Sequence, residues 1–337
     1  MIRDAIESLV NRRDLSAADA ETVMGEIMRG EATPAQLGAF LAALRMKGET
    51  VEEVVGCARA MRAAAIRVPC RAATIVDTCG TGGDGRGTFN VSSAAAFVVA
   101  GAGLTVAKHG NRSVTSRSGS ADLFEALGVR IDLPVDRLAA CLDEVGIAFL
   151  FAPALHPAMK HAIGPRREMG IRTLFNLLGP LANPAGARVQ VLGVFAPAWV
   201  EPMARVLAEL GTRGAFVVHG AGGLDEFSTT GPNRAAQVDG GEVRLVTVDP
   251  ADLGLPQARI EDLAGGDAVM NAALTVEVLK GAPGPRRDVT LLNAAAALVA
   301  AGAAADWKAG LAGAAGSIDS GAAMRKLEAL RQFSAAR

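Results

Sequence analysis

The stretch that decides the fold runs Asp77-Thr-Cys-Gly-Thr-Gly-Gly-Asp-Gly-Arg-Gly-Thr-Phe-Asn-Val-Ser-Ser93, with five glycines within residues 80–87. A mostly apolar run, residues 73–76, precedes it and an alanine-rich run, residues 94–100, follows it, which predicts a strand, a loop and a helix. Ser92 and Ser93 stand where that helix should begin, and they can either cap it or turn their hydroxyls towards a phosphate or a metal. Because glycine lets backbone N–H groups close on a ligand ahead of a helix, the stretch predicts a phosphate-binding loop.

This loop differs from the two commonest phosphate-binding motifs. Residues 80–85 match G-x-G-x-x-G, but a dinucleotide site needs an acidic residue about 20 positions later for the ribose. Here the next strand, residues 104–107, ends in Lys108-His109, and no Gly-Lys-Ser/Thr of a Walker loop follows. We therefore interpret it as a third kind of phosphate loop. A surface glycine turn without a ligand is the alternative that the glycines alone leave open.

Composition disfavours several classes of partner. A chain of 337 residues that is half hydrophobic can form one large domain, or a large and a small one. Its 34 basic and 35 acidic side chains nearly cancel, so we expect no nucleic-acid partner. The longest apolar stretches, residues 91–107 and 289–305, are interrupted by Ser, Gly or Asn, so we expect no membrane partner. Four cysteines without a C-x-x-C pair, and an N-terminus with early acids, predict a cytoplasmic protein.

The periodicity predicts an α/β protein in two parts. Residues 1–67 read as helices with cap signals at Ser16, Thr33 and Thr50. Predicted strands lie at 73–77, 103–107, 146–151, 188–195 and 214–219, with a hairpin at 234–248. Predicted helices lie near 92–101, 120–127, 135–144, 157–163, 198–210, 268–280, 287–302, 306–315 and 320–333. The expected fold class is a small all-helical domain plus a large domain with a mainly parallel central sheet flanked by helices.

Three further polar motifs carry chemistry, and two of them, at residues 108–122 and 225–226, follow predicted strands and should share the sheet edge with the glycine loop. Residues 108–122 combine cations, hydroxyls and glycines, which suit phosphate oxygens, and Ser120 is expected to cap the next helix. Residues 164–184 carry arginines, which bind carboxylates, among apolar side chains that suit an aromatic acid. Asp225-Glu226 follows another strand, and adjacent carboxylates beside phosphate loops suit Mg²⁺.

Together these stretches resemble the anthranilate phosphoribosyltransferase family of the nucleoside-phosphorylase-like superfamily. The resemblance rests on D-T-C-G-T-G-G-D-G (77–85), F-N-V-S-S (89–93), K-H-G-N-R-S-V-T-S-R-S-G-S-A-D (108–122), R-R-E-M-G-I-R-T-L-F-N-L-L-G-P-L-A-N-P (166–184) and G-L-D-E-F-S (223–228). It covers most of the chain in order and spacing, including both helical ends. One departure is Ser93, where the family often has threonine, and the hydroxyl is retained.

The resemblance implies an enzyme of tryptophan biosynthesis. The implied reaction transfers the phosphoribosyl group from 5-phosphoribosyl 1-diphosphate to anthranilate, giving N-(5-phosphoribosyl)anthranilate and diphosphate. It uses Mg²⁺ and needs no covalent intermediate. The expected helical domain comprises residues 1–68, joined by helices from about 169–187, and the apolar faces of its helices predict a homodimer formed through it. The α/β catalytic domain would comprise residues 69–168 and 188–337.

The same resemblance implies three groups of site residues. Anthranilate would contact Gly80, Asn111 and Arg166, with Arg166 on its carboxylate. Mg²⁺ would bind at Ser92, Asp225 and Glu226. Lys108 and His109 would support catalysis, with His109 near the amine, and no residue is firmly assigned as catalytic. The residues implied to hold the donor are Gly80, Gly82, Gly83, Asp84, Thr88, Asn90, Val91, Ser92, Ser93, Lys108, His109, Gly110, Asn111, Arg112, Ser113, Val114, Thr115, Ser116 and Ser120.

Two alternatives stay open at this point. A pyrimidine nucleoside phosphorylase would share the fold and use phosphate as acceptor without Mg²⁺, but the Asp225-Glu226 pair and the Arg166 segment argue against it. A non-enzymatic homologue that binds nucleic acid would show a basic surface and degraded motifs. This chain is near neutral and its motifs are intact.

Overall fold

The glycine loop lies where the strand order of a seven-stranded sheet reverses. The computed structural model describes residues 1–113 and 117–336. Its strands are β1 Ile75–Gly80, β2 Thr105–Gly110, β3 Ile147–Phe151, β4 Val189–Gly193, β5 Gly214–His219, β6 Asn233–Asp239 and β7 Glu242–Val248. They are ordered β3-β2-β1-β4-β5-β6-β7, with β1 to β5 parallel and the last two pairings antiparallel. The chain builds outward from β1 to β3 and then returns beside β1 with β4, and such a switch point is where open parallel sheets bind ligands.

Helices cover both faces of this sheet. Their bounds are α1 Ile2–Val10, α2 Ala17–Arg29, α3 Pro34–Lys47, α4 Val51–Ala64, α5 Val91–Gly101, α6 Ser120–Ala126, α7 Val135–Glu144, α8 Ala152–Leu155, α9 Lys160–Met169, α10 Phe175–Leu178, α11 Val200–Glu209, α12 Ala268–Leu279, α13 Pro285–Ala300, α14 Trp307–Asp319 and α15 Ala322–Ala335. We call α1 to α4 the helical module. Of the helices described, none has the length and apolar character to cross a membrane. The predicted fold class is confirmed.

The predicted elements occur in the predicted order, and their boundaries differ most at α9, which was predicted near 157–163 and runs Lys160–Met169. Polar residues extend two strands. β1 runs to Gly80 and β2 to Gly110, so Lys108 and His109 lie inside a strand instead of after it. Gly80 pairs in register with Gly193 of β4. The short helices α8 and α10 were not predicted, because four residues are too few for a periodic pattern.

The cap signals of the helical module are confirmed. The Ser16 hydroxyl accepts the N–H of Asp19 at 3.1 Å, and α2 ends at Gly30 with a φ of +77°. Thr33 and Thr50 each form a capping box at the start of α3 and α4. These contacts satisfy backbone N–H groups that a helix start leaves unpaired, which is why short motifs located the helices.

Two hydrophobic clusters lie on opposite faces of the sheet. One packs α5 to α7 and α12 to α15 against side chains such as Val191 and Phe216. The other joins the helical module to α10, α11 and the alternate side chains Leu192 and Val217. Residues 174–182 belong to this second cluster, which supports the proposal that helices near 169–187 join the helical domain. The full division into domains stays a prediction.

The contact between α2 and α4 depends on the missing side chain of Gly56. A Cβ there would lie 2.1 Å from the Ala17 carbonyl oxygen, closer than real atoms approach. We predict that Gly56→Ala lowers the free energy of unfolding by about 1–3 kcal/mol, because the two backbones would have to separate. Chemical denaturation of the purified protein measures this change.

Gly38→Ala is the matched control. Gly38 lies inside α3, and a Cβ there meets nothing within 4 Å. Alanine favours a helix over glycine, so we expect a gain of about 0.5–1 kcal/mol. An equal loss in both variants would contradict the role of close α2–α4 packing at Gly56.

Candidate active site

The neighbouring strands β1 and β4 both end in glycine, and the segment that carries Asp225 occupies the space that side chains would otherwise fill. A Cβ on Gly80, at the end of β1, would lie 2.4 Å from Asp225 Oδ2. A Cβ on Gly193, at the end of β4, would lie 1.5 Å from the Asp225 carbonyl oxygen. The position of Gly193 therefore requires glycine, because the two backbones approach too closely for any side chain, and a side chain on Gly80 would displace the Asp225 carboxylate. Asp225 thus lies directly on the switch point of the sheet.

Backbone N–H groups fasten the glycine loop to the acid pair Asp225 and Glu226. Gly82 donates to Asp225 Oδ2 at 2.6 Å, and Ser92, in the first turn of α5, donates to Glu226 Oε1 at 3.2 Å. Gly82 and Gly83 have φ of +70° and +78°, which turn the loop back over the acids. The structure thus brings together the predicted residues Gly80, Gly82, Gly83, Asp84, Ser92, Asp225 and Glu226.

Burial disfavours the charged form of both carboxylates in the acid pair. It is the main cause that raises the pKa of Asp225 above its ordinary value, and repulsion from Asp84 adds to it. The pKa of Glu226 is likewise raised by burial first and by the Asp225 charge second, while Lys108 acts in the opposite direction. A bound cation would reverse this preference, so the pair is suited to a metal ion.

Mg²⁺ fits the chemistry of these donors. It prefers oxygen ligands and commonly takes one or two carboxylates, with substrate phosphates and water completing its shell. Asp225 and Glu226 provide such carboxylates, and the Ser92 hydroxyl lies within hydrogen-bond reach of Glu226. Within residues 1–113 and 117–336, no three His, Cys, Asp or Glu side chains converge closely enough to hold an ion by themselves.

Lys108 lies in the floor of the site instead of projecting into the loop. It is 2% exposed, and its Nζ donates to the carbonyl of Thr78. The Thr78 hydroxyl donates in turn to the Ser92 carbonyl at 2.8 Å. The positive charge of Lys108 acts to lower the pKa of both Asp77 and Glu226 against the effect of burial. Lys108 therefore offsets negative charge beneath the loop, and its contact with the donor stays a prediction.

His109, the next residue of β2, forms a buried pair with His156. The two ring centroids are 5.1 Å apart, and neither Nε2 has a hydrogen-bond partner among the residues described. Burial is the main cause that lowers the pKa of His109 to about 3 and that of His156 to about 4. Both rings are therefore neutral at pH 7, and each buried Nε2 retains a capacity to accept a hydrogen bond that no described residue uses.

The segment after β2 folds back on itself, and Ser120 does not cap the next helix as predicted. The N-cap of α6 is Gly119, whose N–H donates to the Asp122 carboxylate at 2.9 Å. Ser120 is the first residue of that helix, and its hydroxyl donates to the Asn111 carbonyl at 3.4 Å. Glycine takes the cap position because a Cβ on Gly119 would lie 2.3 Å from the Ser113 nitrogen.

The remaining predicted donor residues of this segment differ in their surroundings. The Arg112 guanidinium pairs with Asp122 at 3.0 Å and with Glu125 at 2.5 Å, so its charge is engaged within the chain. Gly110 approaches Ser120 so closely that a Cβ would lie 2.1 Å from its Oγ. Val114, Thr115 and Ser116 lie outside the described residues.

Asn90, and not the predicted Ser92 or Ser93, is the N-cap of α5. Its side chain makes no cap hydrogen bond. Val91 and Ser93 are buried, and the Ser93 hydroxyl has no hydrogen-bond partner in the part of the chain that the structure describes. Thr88 forms a β-bridge with the segment before α12, which anchors the far end of the glycine loop.

Arg166 is half-buried on α9. Its guanidinium lies 4.8 Å from the centroid of the Phe175 ring, and burial lowers its pKa. A partly desolvated guanidinium beside an aromatic ring suits an aromatic carboxylate. Arg166 makes no hydrogen bond to Gly80 or Asn111, the other implied anthranilate contacts, within the described ranges.

Two residues that contact the site were missed by sequence reasoning. Arg172, next to α10, donates to the Gly83 carbonyl and lies 4.5 Å from the centroid of the Phe195 ring, so it joins the arginine-rich segment to the glycine loop. Spacing alone does not distinguish it from neighbouring arginines. Asn271 donates to Asn90 across 181 positions of chain, and no local pattern reveals such a contact.

Two sequence families together match nearly the whole chain. Residues 72–324 match the glycosyl transferase family, a/b domain. Residues 3–65 match the glycosyl transferase family, helical bundle domain. The first match contains the glycine loop and the acid pair, and the second contains most of the helical module.

Individual proteins are similar over nearly their full length. The chain is 59% identical over 330 residues to the anthranilate phosphoribosyltransferase of Moorella thermoacetica, covering 98% of this chain and 97% of that protein. The anthranilate phosphoribosyltransferase of Desulforudis audaxviator is 58% identical over 333 residues, with 99% and 96% covered.

Solved structures agree with this likeness. The crystal structure of the anthranilate phosphoribosyltransferase of Thermus thermophilus matches with a TM-score of 0.94 at 45% identity, covering 99% of this chain and 100% of that one. The enzyme of Saccharomyces cerevisiae in complex with PRPP and Mg matches with a TM-score of 0.90 at 29% identity, with 99% and 97% covered. The glycine loop, the acid pair and these full-length similarities together show that the chain belongs to the anthranilate phosphoribosyltransferase family.

Proposed function

We propose that this protein transfers the phosphoribosyl group of 5-phosphoribosyl 1-diphosphate to anthranilate, in tryptophan biosynthesis. The products are N-(5-phosphoribosyl)anthranilate and diphosphate. The observation that carries the proposal is the glycine loop at the switch point, whose N–H groups are fastened over the buried acid pair. Relatives named for this activity, and a yeast relative in complex with PRPP and Mg, support it.

The proposed reaction is a displacement at C1 of the ribose. The bond from C1 to the diphosphate oxygen breaks and its electron pair leaves with diphosphate. The anthranilate nitrogen forms the new bond to C1 and then loses a proton. The ribose gains oxocarbenium-like character on the way, as in glycoside cleavage. A neutral aromatic amine is already nucleophilic, so no covalent enzyme intermediate is required, and holding it in line with C1 supplies much of the rate.

The donor side of the site would hold the diphosphate through backbone groups. The glycine loop offers N–H groups, and α5 directs the positive end of its dipole toward the same place. Such fixed donors stabilise the negative charge that develops on the leaving group. Mg²⁺ at Ser92, Asp225 and Glu226 would neutralise further charge on the diphosphate. The buried cation of Lys108 would reduce repulsion between the acid pair and the anionic donor.

The acceptor side would hold anthranilate by its carboxylate and its ring. Arg166 would bind the carboxylate, with Phe175 beside it as an apolar surface. His109 is neutral, and its Nε2 would accept a hydrogen bond from the amine. Gly80 and Asn111 complete the proposed acceptor contacts. Arg172, which donates to the Gly83 carbonyl of the glycine loop, would hold the acceptor side at a fixed position relative to the donor.

A pyrimidine nucleoside phosphorylase is not favoured. With phosphate as acceptor, the enzyme would need neither an arginine that binds a carboxylate nor a pair of acids that binds a metal ion. The structure has both, because Arg166 lies over an aromatic ring and Asp225 and Glu226 are adjacent and buried. Relatives at 58–59% identity are named for the anthranilate reaction.

A homodimer formed through the helical module remains a proposal. It is supported by large apolar side chains that the module exposes, such as Val10 at 66% and Met46 at 76%. The mass of the purified protein in analytical ultracentrifugation would distinguish a monomer from a dimer. A cytoplasmic location is likewise proposed, and the four free cysteines fit a reducing compartment.

The activity itself is directly measurable. Purified protein with anthranilate, the phosphoribosyl donor and Mg²⁺ should consume anthranilate, seen as loss of its fluorescence. Chelation of Mg²⁺ should strongly slow this loss, because the acid pair would then repel the diphosphate. Uridine or thymidine with inorganic phosphate should not react. A folded protein that leaves the fluorescence unchanged, or that cleaves the nucleosides, would reject the proposal.

Arg166→Ala should change the KM for anthranilate and the KM for the donor by different factors. Losing a charged hydrogen bond should raise the KM for anthranilate about ten- to a hundred-fold, while the KM for the donor changes little. Arg167→Ala is the matched control, because Arg167 is the next residue of α9 and is exposed. Steady-state kinetics measure both constants. Equal changes in the two KM values of Arg166→Ala would show that Arg166 does not bind the anthranilate carboxylate.

A further inference from the structure

A chain of hydrogen bonds connects α12 to the start of α5. The N–H of Gly266 donates to Asn271 Oδ1 at 2.8 Å, and Asn271 Nδ2 donates to Asn90 Oδ1 at 2.9 Å. Asn90 Nδ2 donates in turn to the Ser118 carbonyl at 3.2 Å. Asn271 is 1% exposed, so water does not compete for its bonds. Three segments that are far apart in sequence are thereby joined.

The backbone groups at the two ends of this series of hydrogen bonds determine which atoms donate and which accept. The backbone N–H of Gly266 can only donate, so it must face the oxygen of Asn271, whose NH₂ group then faces Asn90. The Ser118 carbonyl can only accept, so it must face the NH₂ group of Asn90. The orientation of the Asn90 amide therefore follows from two fixed backbone groups and from the amide of Asn271 between them.

This orientation keeps the Asn90 side chain from capping α5, and the N–H of Ser92 in the first turn is bonded to Glu226 instead. Asn90 is the N-cap, yet its side chain makes no cap hydrogen bond. Asparagine is a preferred N-cap because its oxygen accepts an N–H from the first turn of the helix. Here that oxygen accepts from Asn271 and from the Ser118 hydroxyl at 3.3 Å. The Asn90 amide is thus held away from the helix start, which lies beside the glycine loop.

We propose that Asn271 is a positioning residue for the donor. By holding the Asn90 amide, it fixes the junction between the glycine loop and α5 and ties the Ser118 loop beside it. Without Asn271, the Asn90 amide is free to rotate, and the end of the glycine loop and the Ser118 loop lose the contact that holds them together. This inference rests on the proposed function, and Asn271 acts through Asn90 without touching the substrates.

Two substitutions at Asn271 test this role. Asn271→Asp can still accept from Gly266 but cannot donate to Asn90, and Asn271→Ala removes both bonds. We expect either change to raise the KM for the donor about tenfold, and the dissociation constant of Mg–diphosphate by a similar factor in calorimetry. The KM for anthranilate should stay within about twofold, because the acceptor side does not depend on Asn90.

Thr275→Val is the matched control. Thr275 lies one turn further along α12, is fully buried, and its hydroxyl has no hydrogen-bond partner among the described residues. Its replacement by valine preserves shape, so both KM values should match those of the wild type. This control separates the amide chain from general disturbance of α12.

Three results would overturn the inference. They are a wild-type donor KM in the folded variants, a joint rise of both KM values, and unfolding of both Asn271 variants while Thr275→Val stays folded. The last would make Asn271 a residue of stability alone. Absence of turnover in the wild-type protein would instead reject the proposed function, and the Mg–diphosphate titration would still measure the effect of Asn271.

Discussion

Asp225 can reach the switch point of the sheet because β1 and β4 both end in glycine. A Cβ on Gly193 would lie 1.5 Å from the Asp225 carbonyl oxygen, and one on Gly80 would lie 2.4 Å from its carboxylate. The contact at Gly193 leaves no room for a side chain because two backbones meet there, and a side chain at Gly80 would displace the Asp225 carboxylate. The rest of the site depends on this approach, because Asp225 in turn holds Gly82 and thereby the glycine loop.

The burial of the acid pair at the switch point also determines the pKa values of its carboxylates. Asp225 and Glu226 are adjacent acids removed from water, and their raised pKa values show that the apoprotein disfavours their charge. An anionic diphosphate beside them would be repelled, so the proposed site requires a cation between acids and ligand. The charge of Lys108 offsets part of the negative charge of the acids, and the N–H of Gly82 in the loop and of Ser92 in α5 donate to the two carboxylates.

The sequence predicted the architecture because its signals are local. Caps at Ser16, Thr33 and Thr50, and the alternation of strands and helices, depend on residues a few positions apart. The family resemblance then predicted which loops form one site. Ser120 was wrongly predicted as a helix cap, because the preference for a hydroxyl at a helix start is a local rule, whereas the close approach of Gly119 to Ser113 is a tertiary constraint.

Tertiary constraints of the same kind explain the residues that sequence reasoning missed. The bond of Arg172 to Gly83 spans 89 positions and that of Asn271 to Asn90 spans 181. Raised or lowered pKa values are equally invisible in sequence, since burial causes them.

The central claim is that Asp225, held at the switch point, couples a metal to the donor. Calorimetric titration of 5-phosphoribosyl 1-diphosphate into the wild type and into Asp225→Asn, each with and without Mg²⁺, tests it most directly. The account predicts that Mg²⁺ tightens donor binding to the wild type by more than about tenfold and has little effect on the variant. An equal effect of Mg²⁺ on both proteins would contradict it.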